Sequence, residues 1–258
     1  MGKNLAEKFP AARKIFEEAD EALDFPISRL CFEGSVEELQ LTENTQPAIL
    51  TVSVAALRAM ESEGFPKADY VAGHSLGEYS ALVAAGSLSL ADAVRTVRLR
   101  GRYMQEAVPV GVGTMAAIIG AGLGEVEKAC LQARSDAGDV CAPANINSPN
   151  QVVIAGRISA IDRAMELLKT SGAKRVIKLN VSAPFHCALM MPAQNRLAAD
   201  LEKLAFSDLR TPLVTNVDAQ VIRRGSEARS ALIRQVSLPV RWLESVEVLL
   251  REGVNTLV

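Results

Sequence analysis

Apolar residues recur at helical spacing over residues 3–23 (Leu5, Phe9, Ala12, Ile15, Phe16, Ala19, Leu23), which predicts one amphipathic helix ended by Phe25-Pro26. Ser35-Val36-Glu37-Glu38-Leu39 has the Ser-to-Glu spacing of a capping box and predicts a short helix. A long helix is predicted from Asn44 to about residue 63, with Pro47 in its first turn and Gly64-Phe65-Pro66 closing it. The pattern then shortens. Tyr70-Val71-Ala72 is an apolar run, Gly73-His74-Ser75-Leu76-Gly77 a turn, and residues 80–85 a small-residue helical run that stops at Gly86. A further helix is predicted over about 90–105.

From residue 111 the character changes. Residues 114–119, 140–146, 151–155 and 174–181 read as strands, and residues 124–134 and 159–170 as helices, with Asn147-Ser148-Pro149-Asn150 a turn. The order β-α-β-β-α-β is that of a ferredoxin-like unit. It lies between segments of a different pattern. The predicted organisation is therefore an α/β-hydrolase-like core, residues 1–110 and 183–258, with a ferredoxin-like subdomain inserted at 111–182. Beyond it the chain predicts a helix over about 190–204, a strand at 212–216, helices over about 227–236 and 242–252, and an apolar run at 256–258. A cleft between two such lobes is a usual place for a ligand.

The 258 residues carry a formal net charge of -2, 49% are hydrophobic and 22% charged, an ordinary soluble composition. That charge and the sparse aromatics argue against nucleic acid as a partner. No apolar run reaches membrane-spanning length, and the N-terminal residues form no signal-peptide core. The four cysteines (Cys31, Cys130, Cys141, Cys187) show no metal-ligand spacing, so buried free thiols in a reducing, cytoplasmic setting are expected, with no metal.

Chemistry centres on the turn. Gly-x-Ser-x-Gly between strand and helix is the nucleophile elbow. Small residues are expected on both sides of Ser75, because side chains there would collide with strand and helix. Its position at a helix N-terminus lets the free N–H groups, that of Leu76 first, stabilise an oxyanion. Ser75 needs a base, and the chain has two histidines. His74 adjoins Ser75 on the tight turn and points away from it; His186, just past the insertion, remains. A triad acid would come from Asp136, Asp139 or Asp162, among which the spacing does not choose; a backbone carbonyl or neutral amide could orient the ring instead. On the helix after the elbow, Arg95, Arg98 and Arg102 fall on the solvent side. Arg100 borders the apolar face and needs an anion, either a protein carboxylate or a substrate carboxylate held by two parallel hydrogen bonds.

Gly73-His74-Ser75-Leu76-Gly77-Glu78-Tyr79-Ser80-Ala81-Leu82, Arg98-Leu99-Arg100-Gly101, Asn145-Ile146-Asn147-Ser148-Pro149 and Ala183-Pro184-Phe185-His186-Cys187-Ala188-Leu189-Met190 together resemble the malonyl-CoA:acyl-carrier-protein transacylases of fatty-acid synthesis. The resemblance implies an α/β-hydrolase-like core with a ferredoxin-like insertion. It implies that Ser75 carries the malonyl ester, His186 acts as general base and then acid, and Arg100 binds the malonyl carboxylate. It also implies that the backbone carbonyl of Gln235 orients His186, with Asn216 a supporting, substrate-side residue near that histidine and Phe185 crowding an α-methyl group. Malonyl-CoA and acyl carrier protein are the implied partners, with no cofactor beyond the coenzyme A thioester. Family members begin with a strand and a Gly-Gln-Gly-Ser-Gln loop and end in a Gly-Pro-Gly segment, both lacking here. The second oxyanion donor is therefore expected outside this sequence.

Two other readings stand beside it. One is an esterase or patatin-like hydrolase, which would want a triad acid or a late Asp-Gly pair; Asp218 is followed by Ala219. The other is a docking module that binds an acidic carrier through Arg223, Arg224, Arg229 and Arg234, or through Lys169, Lys174, Arg175 and Lys178.

Overall fold

In the computed structural model, which describes all residues except Ala137 and Ser182, the predicted first helix is two: α1 (Lys3–Lys8) and α2 (Pro10–Leu23). The apolar period runs on across the break, but Pro10 forces Phe9 into an extended conformation, φ -118° and ψ 111°. Pro10 then serves as a first-turn residue of α2. α2 buries Ala12, Ile15, Phe16 and Ala19. A helix that the pattern does not predict, α3 (Ile27–Glu33), follows. The capping box on Ser35 opens α4 (Val36–Gln40). The long helix α5 (Thr42–Ser62) starts before the expected residue, which puts Pro47 inside it.

The elbow joins β1 (Val71–Ala72) to α6 (Gly77–Ala84), and α7 (Leu90–Glu106) follows. α7 packs closely on α5. A Cβ on Gly101 would lie 2.6 Å from the Thr42 carbonyl oxygen and 2.7 Å from the Glu43 Cα. Both are backbone atoms, so neither helix can yield locally. This approach brings Arg100 of α7 against Gln46 of α5. Gly101→Ala should destabilise the protein by about 1–3 kcal/mol through overpacking, read as a lower denaturant midpoint with an unchanged m-value. An unchanged midpoint would mean the helices separate freely.

The second lobe contains β2 (Gly113–Ile119), α8 (Leu123–Gln132), β3 (Cys141–Ser148), β4 (Gln151–Arg157), α9 (Ile158–Thr170) and β5 (Arg175–Lys178). Its sheet is antiparallel in the order β3-β4-β2-β5. Strand alternation gives the sheet two apolar faces. Ala116, Ile118, Val152 and Ile154 pack with Val126, Ile161 and Leu168 of α8 and α9. Met115, Ala117, Val153 and Ala155 pack instead with Cys187, Phe185 and Leu189. The second face thus seats the segment that carries His186. The expected lobe boundary at residue 182 falls on Ser182, outside the described residues.

The chain returns through a short 3₁₀ turn (Ala188–Met190), α10 (Met191–Leu201), β6 (Leu213–Val214), β7 (Val221–Ile222), α11 (Gly225–Gln235) and α12 (Trp242–Arg251). β6 pairs parallel with β1 and antiparallel with β7. β7 is too short to stand out in the sequence pattern. The apolar run at 256–258 forms no element. The lobes are tied where Ile146 N–H donates to Val240 O at 2.9 Å and Val240 N–H to Ala144 O at 2.8 Å. The result is a mixed α/β fold: an α/β-hydrolase-like core carrying a ferredoxin-like insertion. All four cysteines are free and buried.

Candidate active site

Ser75 occupies the left-handed backbone region, φ 50°, between β1 and α6. For a residue with a β-carbon this costs on the order of 1–3 kcal/mol and persists only when neighbours enforce it. Three hydrogen bonds do so. Asn216 Oδ1 accepts from Ser75 N–H at 2.6 Å, Asn216 Nδ2 donates to Gly73 O at 2.8 Å, and Gln235 Nε2 donates to Ser75 O at 2.9 Å. A Cβ on Gly73 would overlap the Gly77 carbonyl group, whereas one on Gly77 would meet nothing within 4 Å. Steric need is therefore confined to Gly73, a correction to the expectation for both glycines. The amides of Gly77, Glu78 and Tyr79 bond to the carbonyls of His74, Ser75 and Leu76, while the Leu76 N–H meets no acceptor among the described residues.

His186 lies across the elbow, 4% exposed and also left-handed at φ 58°. Its Nδ1 is 2.7 Å from Gln235 O and its Nε2 2.7 Å from Ser75 Oγ. A carbonyl only accepts, so Nδ1 carries the proton and Nε2 is left to accept the Ser75 hydroxyl. None of the candidate triad acids serves this ring: Asp139 pairs with Arg163, Asp162 with Lys178, and Asp136 accepts from Gly138 N–H. His74 points away, with Nε2 2.9 Å from Asn147 Oδ1 and its ring against Trp242.

Burial, and then the nearby Arg100 guanidinium, push the His186 imidazole down to about 3, against the opposing effect of the Gln235 carbonyl. The folded value lies below the unfolded one of about 6.5, so His186 contributes stability above that pH and loses it as pH falls toward 3. In protein labelled with ¹⁵N at its two histidines, the His186 nitrogens should keep neutral shifts from about pH 8 to about pH 4. Titration near 6.5 would contradict this electrostatic reading.

Arg100 is 2% exposed. Its Nη1 donates to Gln46 Oε1 at 2.7 Å; its Nη2 donates to Ser75 Oγ and to Gln235 Oε1, both at 3.0 Å. Neutral oxygens, and no carboxylate ion pair among the described residues, surround the guanidinium. Glu78, 1% exposed, accepts on Oε2 from Gln235 Nε2 at 2.7 Å and from Asn216 N–H at 3.2 Å. Burial pushes its carboxyl up to about 7, against those bonds and the charge of Arg100.

The structure thus brings Ser75, His186, Arg100 and Gln235 together. Asn216 is fully buried and bonds the elbow backbone and the Gln235 amide; none of its hydrogen bonds among the described residues goes to the histidine. Phe185 packs between the apolar clusters of the two lobes. Two residues escape sequence reasoning. Gln46 is a buried polar side chain on a mostly apolar face of α5, and Glu78 a buried acid on α6. Of the arginines assigned to solvent, Arg98 lies over the Phe25 ring at 4.0 Å and Arg95 Nε donates to Ala22 O.

The acyl transferase domain family matches residues 1–257. The malonyl CoA-acyl carrier protein transacylase of Bacillus subtilis (strain 168) is 48% identical over 258 residues, 100% of this chain and 81% of its own. That of Escherichia coli (strain K12) is 48% identical over 257 residues, 100% of this chain and 82% of its own. The chain belongs to this transacylase family. A solved acyl carrier protein S-malonyltransferase from Vibrio cholerae superposes with TM-score 0.94 at 46% identity, covering 97% of this chain and 81% of that one. A malonyl-transacylase solved with its type II PKS acyl-carrier protein superposes with TM-score 0.95 at 45% identity, covering 98% and 82%.

In this transacylase no helix among the described residues is long and apolar enough to cross a membrane, and no group of three or more His, Cys, Asp or Glu is placed to hold a metal. Several cations considered for carrier docking are engaged within the fold. Arg234 pairs with Asp218, Arg229 donates to Leu204 O, and Lys169 and Lys178 pair with Glu166 and Asp162.

Proposed function

We propose that this chain moves a malonyl group from coenzyme A to the phosphopantetheine thiol of an acyl carrier protein, through a malonyl ester on Ser75, in fatty-acid biosynthesis. The observation that carries the reading is the convergence on Ser75 Oγ of an imidazole nitrogen at 2.7 Å and a guanidinium nitrogen at 3.0 Å. Ser75 Oγ attacks the thioester carbonyl carbon while His186 Nε2 takes the hydroxyl proton. The Leu76 N–H donates to the oxyanion. The carbon–sulfur bond breaks, and His186 returns the proton to the coenzyme A thiolate. The carrier thiol then repeats the steps in reverse, its proton passing to His186 and back to Ser75.

Arg100 holds the malonyl carboxylate. Its present acceptors are neutral, so an incoming carboxylate supplies the anion that a buried guanidinium lacks. Phe185 borders the malonyl methylene. Residues 1–110 with 183–258 form the α/β-hydrolase-like core and residues 111–182 the ferredoxin-like subdomain. Asn216 acts behind the elbow by fixing the Ser75 backbone. The thioester is activated already, so no cofactor is needed, and the setting is cytoplasmic. A carbonyl in place of a triad acid, and a buried arginine without use for a neutral ester, weigh against an esterase. The discriminating experiment compares hydrolysis of a p-nitrophenyl ester with thiol-dependent loss of malonyl-CoA. Efficient ester hydrolysis without thiol-dependent transfer would overturn the proposal.

A further inference from the structure

Glu78 is a buried carboxyl that the transfer steps do not use. Among the described residues its Oε1 has no hydrogen-bond partner, although it is shielded from solvent. A carboxyl so placed is costly for the fold. Its Oε2, however, joins the two residues on which the site geometry depends. One is Gln235, which bonds His186 through its backbone oxygen, Ser75 O through Nε2 and Arg100 through Oε1. The other is Asn216, which bonds Ser75 N–H and Gly73 O. Gln235 Nε2 is also 3.3 Å from Asn216 Oδ1, closing the cluster. The charged and titratable groups acting on Glu78 are Arg100 of α7, Tyr79 of α6, Asp218 of the β6–β7 turn and Arg234 of α11.

We propose that Glu78 is a positioning residue: by accepting from Gln235 and Asn216 at once, its Oε2 sets the imidazole and the serine elbow in register. The proposal rests on the reading of Ser75 and His186 as nucleophile and base. Glu78 touches no reacting atom. Without it, Gln235 loses the shortest of the hydrogen bonds that fix its amide, and its carbonyl holds the His186 Nδ1–H less firmly in one place.

The test uses Glu78→Met, which fills a similar volume without an acceptor. Losing the carboxyl removes its own desolvation cost but strands the Asn216 N–H donor, two effects of opposite sign. The melting temperature should therefore fall by no more than a few degrees, with the protein folded at the assay temperature. The kcat for Ser75 acylation by malonyl-CoA should drop about tenfold to a hundredfold, the loss that a misplacement near 1 Å brings, while KM stays within about threefold. In ¹⁵N-histidine spectra, His186 should lose its single Nδ1–H tautomer while His74 keeps its shifts; His74→Gln assigns the two rings. Wild-type kcat with an intact His186 tautomer in a folded variant overturns the proposal. Should Glu78→Met not fold, Glu78→Asp draws the acceptor back by one methylene and should give the same kcat and tautomer changes. Glu78→Gln retains an acceptor and should restore both. The tautomer is read without substrate, so it tests Glu78 even if Ser75 proves not to be the acyl acceptor.

Discussion

Changing His186 to asparagine should lower the rate of Ser75 acylation by about a thousandfold or more, while the protein stays folded. Asparagine is the informative replacement because residue 186 has φ 58°, a region asparagine tolerates better than most side chains. Among the described residues, the imidazole is the only hydrogen-bond partner of Ser75 Oγ that can take its proton: Arg100 Nη2, the other partner, is a donor. Loss of a general base removes about 10²–10⁴ in rate, and the remaining rate comes from substrate binding and the oxyanion donor. The variant also leaves the Gln235 carbonyl without its buried donor, at a cost of about 1–3 kcal/mol in stability. Rapid-quench acylation and chemical denaturation measure the two effects separately. A rate within tenfold of wild type would remove His186 from the proton transfer.

Changing Arg100 to methionine should lower kcat/KM for malonyl-CoA about a hundredfold, with a much smaller loss for acetyl-CoA. A charge-assisted hydrogen bond is worth about 1.5–3 kcal/mol, and two parallel ones span a factor of about 10² or more. Acetyl has no carboxylate, so it forfeits none of this. Methionine keeps most of the buried volume between α5 and α7 and strands the acceptors Gln46 Oε1 and Gln235 Oε1. That structural penalty falls on both substrates alike, so the ratio of the two kcat/KM values isolates the carboxylate contact. An unchanged ratio would place the malonyl carboxylate elsewhere.

The elbow is readable because its constraints are local: a serine on a tight turn, a glycine whose missing Cβ lets the turn close on Gly77, and helix amides at hand. His186 follows from scarcity, since a serine needs a base and few residues offer one. The βαββαβ lobe is readable from alternating strands with turn residues between them. What sequence pattern conceals are relations between distant residues. Gln46 matters because Gly101 lets α5 approach α7, and nothing near residue 46 signals that approach. Glu78 matters because Asn216 and Gln235 fold back under it. Asn216 matters because it bonds the serine elbow, a placement that depends on β6 pairing with β1. The break between α1 and α2 was signalled by Pro10, but the apolar spacing continued past it and masked the signal.

The covalent intermediate offers the most direct test. The protein is incubated with malonyl-CoA, its intact mass measured, and the adduct mapped by peptide sequencing. The account predicts one malonyl group per chain, on Ser75, absent from Ser75→Ala and discharged when holo acyl carrier protein is added. A chain that takes up no malonyl group, or one whose adduct survives Ser75→Ala, would contradict it.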